Sequence, residues 1–227
     1  MKTINNFLVI IFLLITCSLT NLSAQNTDKI SFLDFSSKFK DATLPYEARK
    51  NTDVFTRFFD KEAIYEQGAL FFEKFINRFE ASGMYYGYNG HSIKYIYGKK
   101  VKLSNSFCFL SVNREFGTND VEQWIYLYDD KGNPLTKYLV FKYCPWQDNR
   151  IKINSIITSD FKIKTRIRKY YDQVTDKNGR IKVVDMLEEY EISPEQKKIV
   201  FIKARSKEYF DRFREAPFSN DEEWKIE

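Results

Sequence analysis

The sequence predicts an α+β protein: N-terminal helices packed on a curved antiparallel β-meander of about 8–10 strands, closed by a short C-terminal helix. Three observations point there. Apolar residues recur at helical spacing before Gly83 and at a spacing of two after it. Short clusters of Gly, Asn, Asp, Ser and Pro separate the later segments. No helical stretch lies between those segments to make the crossovers that parallel strands need. The expected organisation is a signal peptide over 1–24, a helical segment over 25–82, and the meander with its terminal helix over 83–227, with 25–227 forming one domain.

Lys2, the apolar run Phe7 to Ile15 and the small, polar stretch Thr16 to Ala24 match the three regions of a secretory signal. The run is too short to span a bilayer. Cleavage after Ala24 would start the mature chain at Gln25 and send it to the periplasm or the exterior. The alternative is acylation of Cys17, which follows Leu14-Ile15-Thr16, and anchoring to a membrane as a lipoprotein. Leu14 suits that route, while Thr16 is larger than the usual neighbour. Each buried acyl CH₂ would add about 0.8 kcal/mol of membrane affinity.

Ile30 to Phe39 reads as an amphipathic helix, with Phe32, Phe35 and Phe39 on one face and Pro45 blocking continuation. Asp60 is a candidate N-cap for a helix over Lys61 to Phe79, weakened at Gly68. Short strands follow near 84–88, 93–97 and 99–103. Clearer ones cover Phe107 to Asn113, Val121 to Tyr128, Leu135 to Cys144 and Ile151 to Ile157. Further strands run Phe161 to Gln173, Ile181 to Ile192 and Ile199 to Lys203, and a last helix is expected over Ser206 to Glu215. The similar stretches Asp129-Asp130-Lys131-Gly132 and Asp176-Lys177-Asn178-Gly179 read as one hairpin chemistry used twice.

Lys162, Lys164, Arg166 and Arg168 alternate along one strand. A two-residue loop at Asn178-Gly179 would set Arg168 against Glu189, Arg166 against Glu191 and Lys169 against Glu188, with Ile167 meeting Tyr190 on the other face. In that register the charges face water and hold the pairing, because a one-residue slip would turn the apolar set outward. A loop longer by two residues would change partners but keep each residue on its face. Lys162 and Lys164 are left as candidates for an anionic ligand.

The formal charge of +5 comes from 36 basic and 31 acidic residues that interleave through most of the chain, so nucleic acid is not an expected partner. Cys108 and Cys144 are the cysteines beyond the leader. A disulfide would suit an exported protein, but a simple meander keeps their strands apart, which favours free thiols. No catalytic residues, metal ligands or cofactor motifs emerge. His91 is the single histidine and follows Tyr88-Asn89-Gly90 in a turn, without spaced companions. Aromatic residues are the richer source of candidates: Tyr86 and Tyr88 among glycines, Trp124 and Tyr126 on one face of a strand, and Trp146 after Pro145. Such rings suit an apolar or carbohydrate ligand or a protein partner, but the favoured reading is that they fill a second core between sheet and helices.

Leu22-Ser23-Ala24-Gln25, Phe32-Leu33-Asp34-Phe35, Leu44-Pro45-Tyr46 and the stretch Tyr126 to Gly132 resemble exported proteins and lipoproteins of the Bacteroidota that have no assigned activity. The resemblance implies export and transfers no functional residue. The expected function is a non-catalytic, secreted or envelope-associated binding or structural protein. The alternatives are an apolar-ligand or lipid carrier with a pocket between sheet and helices and, third, a carboxylate-based hydrolase.

Overall fold

The computed structural model describes residues 31–48, 72–76, 93–116, 120–144 and 150–212. Helix α1 is Phe32–Ser36, β1 is Lys40–Ala42, β2 is Tyr46–Glu47, and a π-helical turn covers Phe72–Ile76. Longer strands follow: β3 Ile93–Ser104, β4 Phe107–Phe116, β5 Asp120–Asp129, β6 Pro134–Cys144, β7 Ile151–Ile157, β8 Lys162–Thr175, β9 Ile181–Ser193 and β10 Lys198–Asp211. They form one 10-stranded sheet in the order β1-β3-β4-β5-β6-β7-β8-β9-β10, with β2 joined to β7. The pairings are antiparallel except that of β1 with β3.

The α+β expectation is overturned. The described residues are mostly β, with 71% of them in strands and 6% in helix, and among them there is no layer of N-terminal helices on the sheet. The helical period at 30–39 holds for little more than one turn. Ser31 caps α1 by accepting from the Asp34 amide, and beyond Ser37 the chain pairs with β3. That ladder offers the amides partners that a short isolated helix cannot match. The expected helix over 61–79 lies outside the described residues except for 72–76, and the short strand near 84–88 lies outside them too. The expected C-terminal helix is also corrected: residues 206–211 continue β10, because β9 is long enough to carry a ladder to Asp211 that overrides local propensity.

The sheet curls, and β1 and β2 show how strongly. Ala42 pairs with Val101 of β3, while Tyr46 pairs with Ile157 of β7. The chain from Ala42 to Tyr46 reaches at most about 14 Å. Strand β7 stands one spacing, about 5 Å, beyond it. On a flat sheet β1 and β7 would stand five spacings, about 24 Å, apart. Strand β6 meets β7 only where Phe141–Cys144 face Asn154–Ile151, and then departs, so β2 occupies the ladder at Ile156 and Ile157.

The main core fills the curl, gathering Tyr46, Val101, Phe109, Ile125, Phe141, Ile157, Ile163 and Ile192. Tyr46 donates to Gln123 Oε1 at 3.0 Å, and Gln123 Nε2 donates to Asn113 Oδ1 at 2.8 Å. A second cluster lies on the other face of β3–β5. There Phe35 stacks on Phe75 at 4.8 Å, beside Leu110, Val112 and Tyr126, and Tyr128 donates to the Phe75 carbonyl at 2.8 Å. Strands β4 and β5 are therefore buried on both faces.

The β8–β9 register is a correction. Asp176 N–H donates to the Arg180 carbonyl at 2.9 Å, so the loop is Lys177-Asn178-Gly179, one residue longer than expected, with Gly179 at φ 70°. An irregularity between Tyr171 and Thr175 then moves the pairing further. Arg166 faces Leu187 and Arg168 faces Asp185, while Lys162 and Lys164 face Glu191 and Glu189. The total shift is even, so every residue keeps its expected face but changes partner. Arg166, Arg168 and Asp185 are buried rather than exposed.

Candidate interaction surface

Strand β10 ends the sheet, and no strand of the described residues pairs with its outer edge. It follows β9 from Lys198 opposite Ser193 to Asp211 opposite Ile181. The register shifts between Phe201 and Lys203, which leaves Ile202 as an extra residue. Every residue from Phe201 to Glu208 is exposed. Phe201 is 55% exposed, Ile202 42% and Phe210 39%.

Both faces of this edge are anchored from beneath. On one face Phe201 meets Tyr190 edge-on at 5.4 Å, and Tyr190 meets Tyr138 of β6 at 4.8 Å. Tyr190 donates to Glu188 Oε2 at 2.8 Å, and the Tyr138 hydroxyl lies 3.0 Å from that of Thr165, itself 2.9 Å from Ser155. Burial, with the Glu188 hydrogen bond, holds the Tyr190 phenol protonated above its usual range.

On the other face Asp185 accepts from Arg168 Nε at 2.7 Å and Nη2 at 2.8 Å, from Arg166 at 3.2 Å and from Tyr209 of β10 at 3.1 Å. Burial alone would raise the Asp185 carboxyl. The Arg168 hydrogen bonds and charge, with Arg166 behind them, outweigh it and hold the carboxyl below the usual range. Burial pushes Tyr209 up to about 12, against the pull of Arg168. The edge strand is thus held by rings on one side and by a buried ion cluster on the other.

Lys203, Arg205 and Lys207 face Glu189, Leu187 and Asp185 in register, so they share one face. Lys203 pairs with Glu189 at 3.2 Å, and Glu208 is taken by Lys182 at 2.7 Å. No carboxylate among the described residues pairs with Arg205 or Lys207. The edge therefore offers a row of backbone donors and acceptors, an apolar step and unbalanced cations, which is the chemistry of binding.

Of the sequence-predicted candidates, Tyr86, Tyr88 and Trp146 lie outside the described residues, as does His91. Trp124 is half-buried. Its indole N–H donates to Glu122 Oε2 at 2.9 Å, and Lys137 stands 4.8 Å and Arg114 5.8 Å from its ring. Burial raises the Glu122 carboxyl, but Lys142 at 2.9 Å, the Trp124 N–H and Arg114 together lower it below the usual range. Tyr126 has no exposed surface and belongs to the second core. Lys162 pairs with Asp160 at 2.9 Å and faces Glu191, and Lys164 faces Glu189, so the two candidates for an anion have acids beside them. Cys108 is a free thiol, its pKa pushed up to about 11 chiefly by burial, with Lys100 opposing and Asp129 adding. Sequence reasoning misses Phe201, Ile202, Arg205 and Lys207, because a strand ending at Lys203 and a helix from Ser206 leave no long edge. The alternation Lys203, Arg205, Lys207, Tyr209 is the signal for a continuing strand.

Comparison with family models, with curated proteins and with solved structures gives no match.

Proposed function

We propose that the chain is an exported, secreted or envelope-associated protein that works by binding rather than catalysis, with β10 as its docking element. Export rests on residues 2–25. The observation that carries the binding role is the exposed pair Phe201 and Ile202 at the bulge of the edge strand. Single exposed apolar residues are ordinary, but consecutive ones on an edge that no described strand pairs offer both main-chain partners and contact area.

A photocrosslinking residue at position 201 tests this, with the exposed Leu33 position as control. Adducts formed in the native exported material should concentrate at 201. Equal labelling at both positions would remove β10 as the docking element. Solvent extraction of the purified protein checks the carrier alternative: a stoichiometric apolar molecule in the extract would replace the binding reading.

A further inference from the structure

We infer that β10 accepts an extended acidic segment of a partner protein as an added strand. The inference rests on the binding role proposed above and names the partner's chemistry. An added strand satisfies the outer N–H and C=O row of β10, and its alternate side chains lie against each face in turn. On one face they meet Lys203, Arg205 and Lys207: Lys203 is paired with Glu189, Arg205 faces Leu187, and Lys207 faces Asp185, whose carboxylate is already held by Arg166, Arg168 and Tyr209. On the other they meet Phe201 and Phe210 at its two ends, with Ala204, Ser206 and Glu208 between them. A segment alternating acidic with apolar residues complements both faces.

A second copy of this chain is the competing occupant, and in the registers centred on residues 203–207 the charges oppose it. Two copies of β10 related by a twofold axis pair antiparallel, with the axis at one residue. Placed at Lys203, Arg205 or Lys207, the axis sets that cation against itself. Placed at Ala204, it sets Lys203 against Arg205, and at Ser206 it sets Arg205 against Lys207. Like charges directly opposite destabilise a pair. The bulge at Ile202 further disturbs a long self-paired ladder.

The test is fluorescence anisotropy on the whole exported chain with three labelled peptides of about ten residues, alternating Val with Glu, Lys or Thr. The Glu peptide should bind at least about tenfold more tightly than the Thr peptide, and the preference should shrink as salt rises from about 0.05 to 0.5 M. In the double variant Arg205→Glu, Lys207→Glu the preference should reverse toward the Lys peptide, a gain that a misfolded variant could not show. Methylating alternate backbone nitrogens of the Glu peptide should abolish binding. Equal affinity for the Glu and Thr peptides, still lost in Phe201→Ser, would overturn the acidic partner and leave the docking edge standing. Failure of every peptide, with no excess of crosslinks at 201, would remove both. Reversible dimerisation through crosslinks at 201 would assign the edge to a second copy and overturn the inference.

Discussion

Asp185 is the residue on which two guanidinium groups and a phenol converge, and removing its charge tests how much the fold depends on it. Asp185→Ala should lower stability by about 3–5 kcal/mol in urea melts, because buried Arg166 and Arg168 lose their counter-ion. Replacing Arg168 as well should recover part of the loss. Two glycines give a finer contrast. In the β5–β6 turn Asp129 Oδ1 accepts from the amides of Lys131 at 3.0 Å and Asn133 at 2.8 Å. In the β8–β9 turn Asp176 Oδ1 accepts from those of Asn178 and Arg180, both at 2.9 Å. Gly132 and Gly179 take φ of 79° and 70° at matching places. A methyl group at Gly179 meets open space, whereas at Gly132 it meets Phe32. Gly179→Ala should therefore cost about 1–2 kcal/mol from backbone strain alone, and Gly132→Ala more.

At the scale of elements, the β8–β9 hairpin makes a prediction that depends on its register. Lys164→Glu should destabilise by about 0.2–1 kcal/mol, and Glu189→Lys should restore only part of it in the double variant, because that change also turns the Lys203–Glu189 pair into a like-charge contact. Arg166→Glu should not be rescued by changes at Glu189 or Glu191, since Arg166 faces Leu187. The hairpin also shows what is legible in the sequence. Its existence, its ends and the face of each residue follow from alternation and from Asn178-Gly179. Its partners do not, because the third loop residue and the irregularity near Tyr171 depend on backbone geometry that no spacing records. The strands from Phe107 to Ser193 are legible for the same reason of period and turn chemistry. Strand β10 is half legible. Its second half alternates from Lys203 to Tyr209 as a strand would, but Tyr209 and Phe210 also fit a helix, and the ladder that β9 offers tips the balance. The interaction surface is hidden with it. Strand β2 is not legible at all: two residues make no period, and the gap they fill exists only once β6 has parted from β7.

For the whole molecule, acid is the informative stress. The carboxyls of Asp185, Glu122 and Asp129 are all lowered in the fold. Each therefore contributes stability in full above its unfolded pKa, about 4. The unfolded state takes up protons first as pH falls, so the contribution disappears as pH drops below about 4 through the folded values. The urea midpoint should hold between neutral pH and about pH 5 and fall steeply below about pH 4. Asp185→Asn should show a shallower fall. The curl of the sheet has a further consequence for the order in which the chain is made. Residues 40–47 precede both strands they join, and the ladder for Tyr46 and Glu47 is not complete until Ile157 exists. The earliest part of this barrel-like wrap to be synthesised is thus among the last to be secured. A chain ending at residue 150 should be cut readily between 40 and 47 by a protease, and extension past residue 193 should close that window.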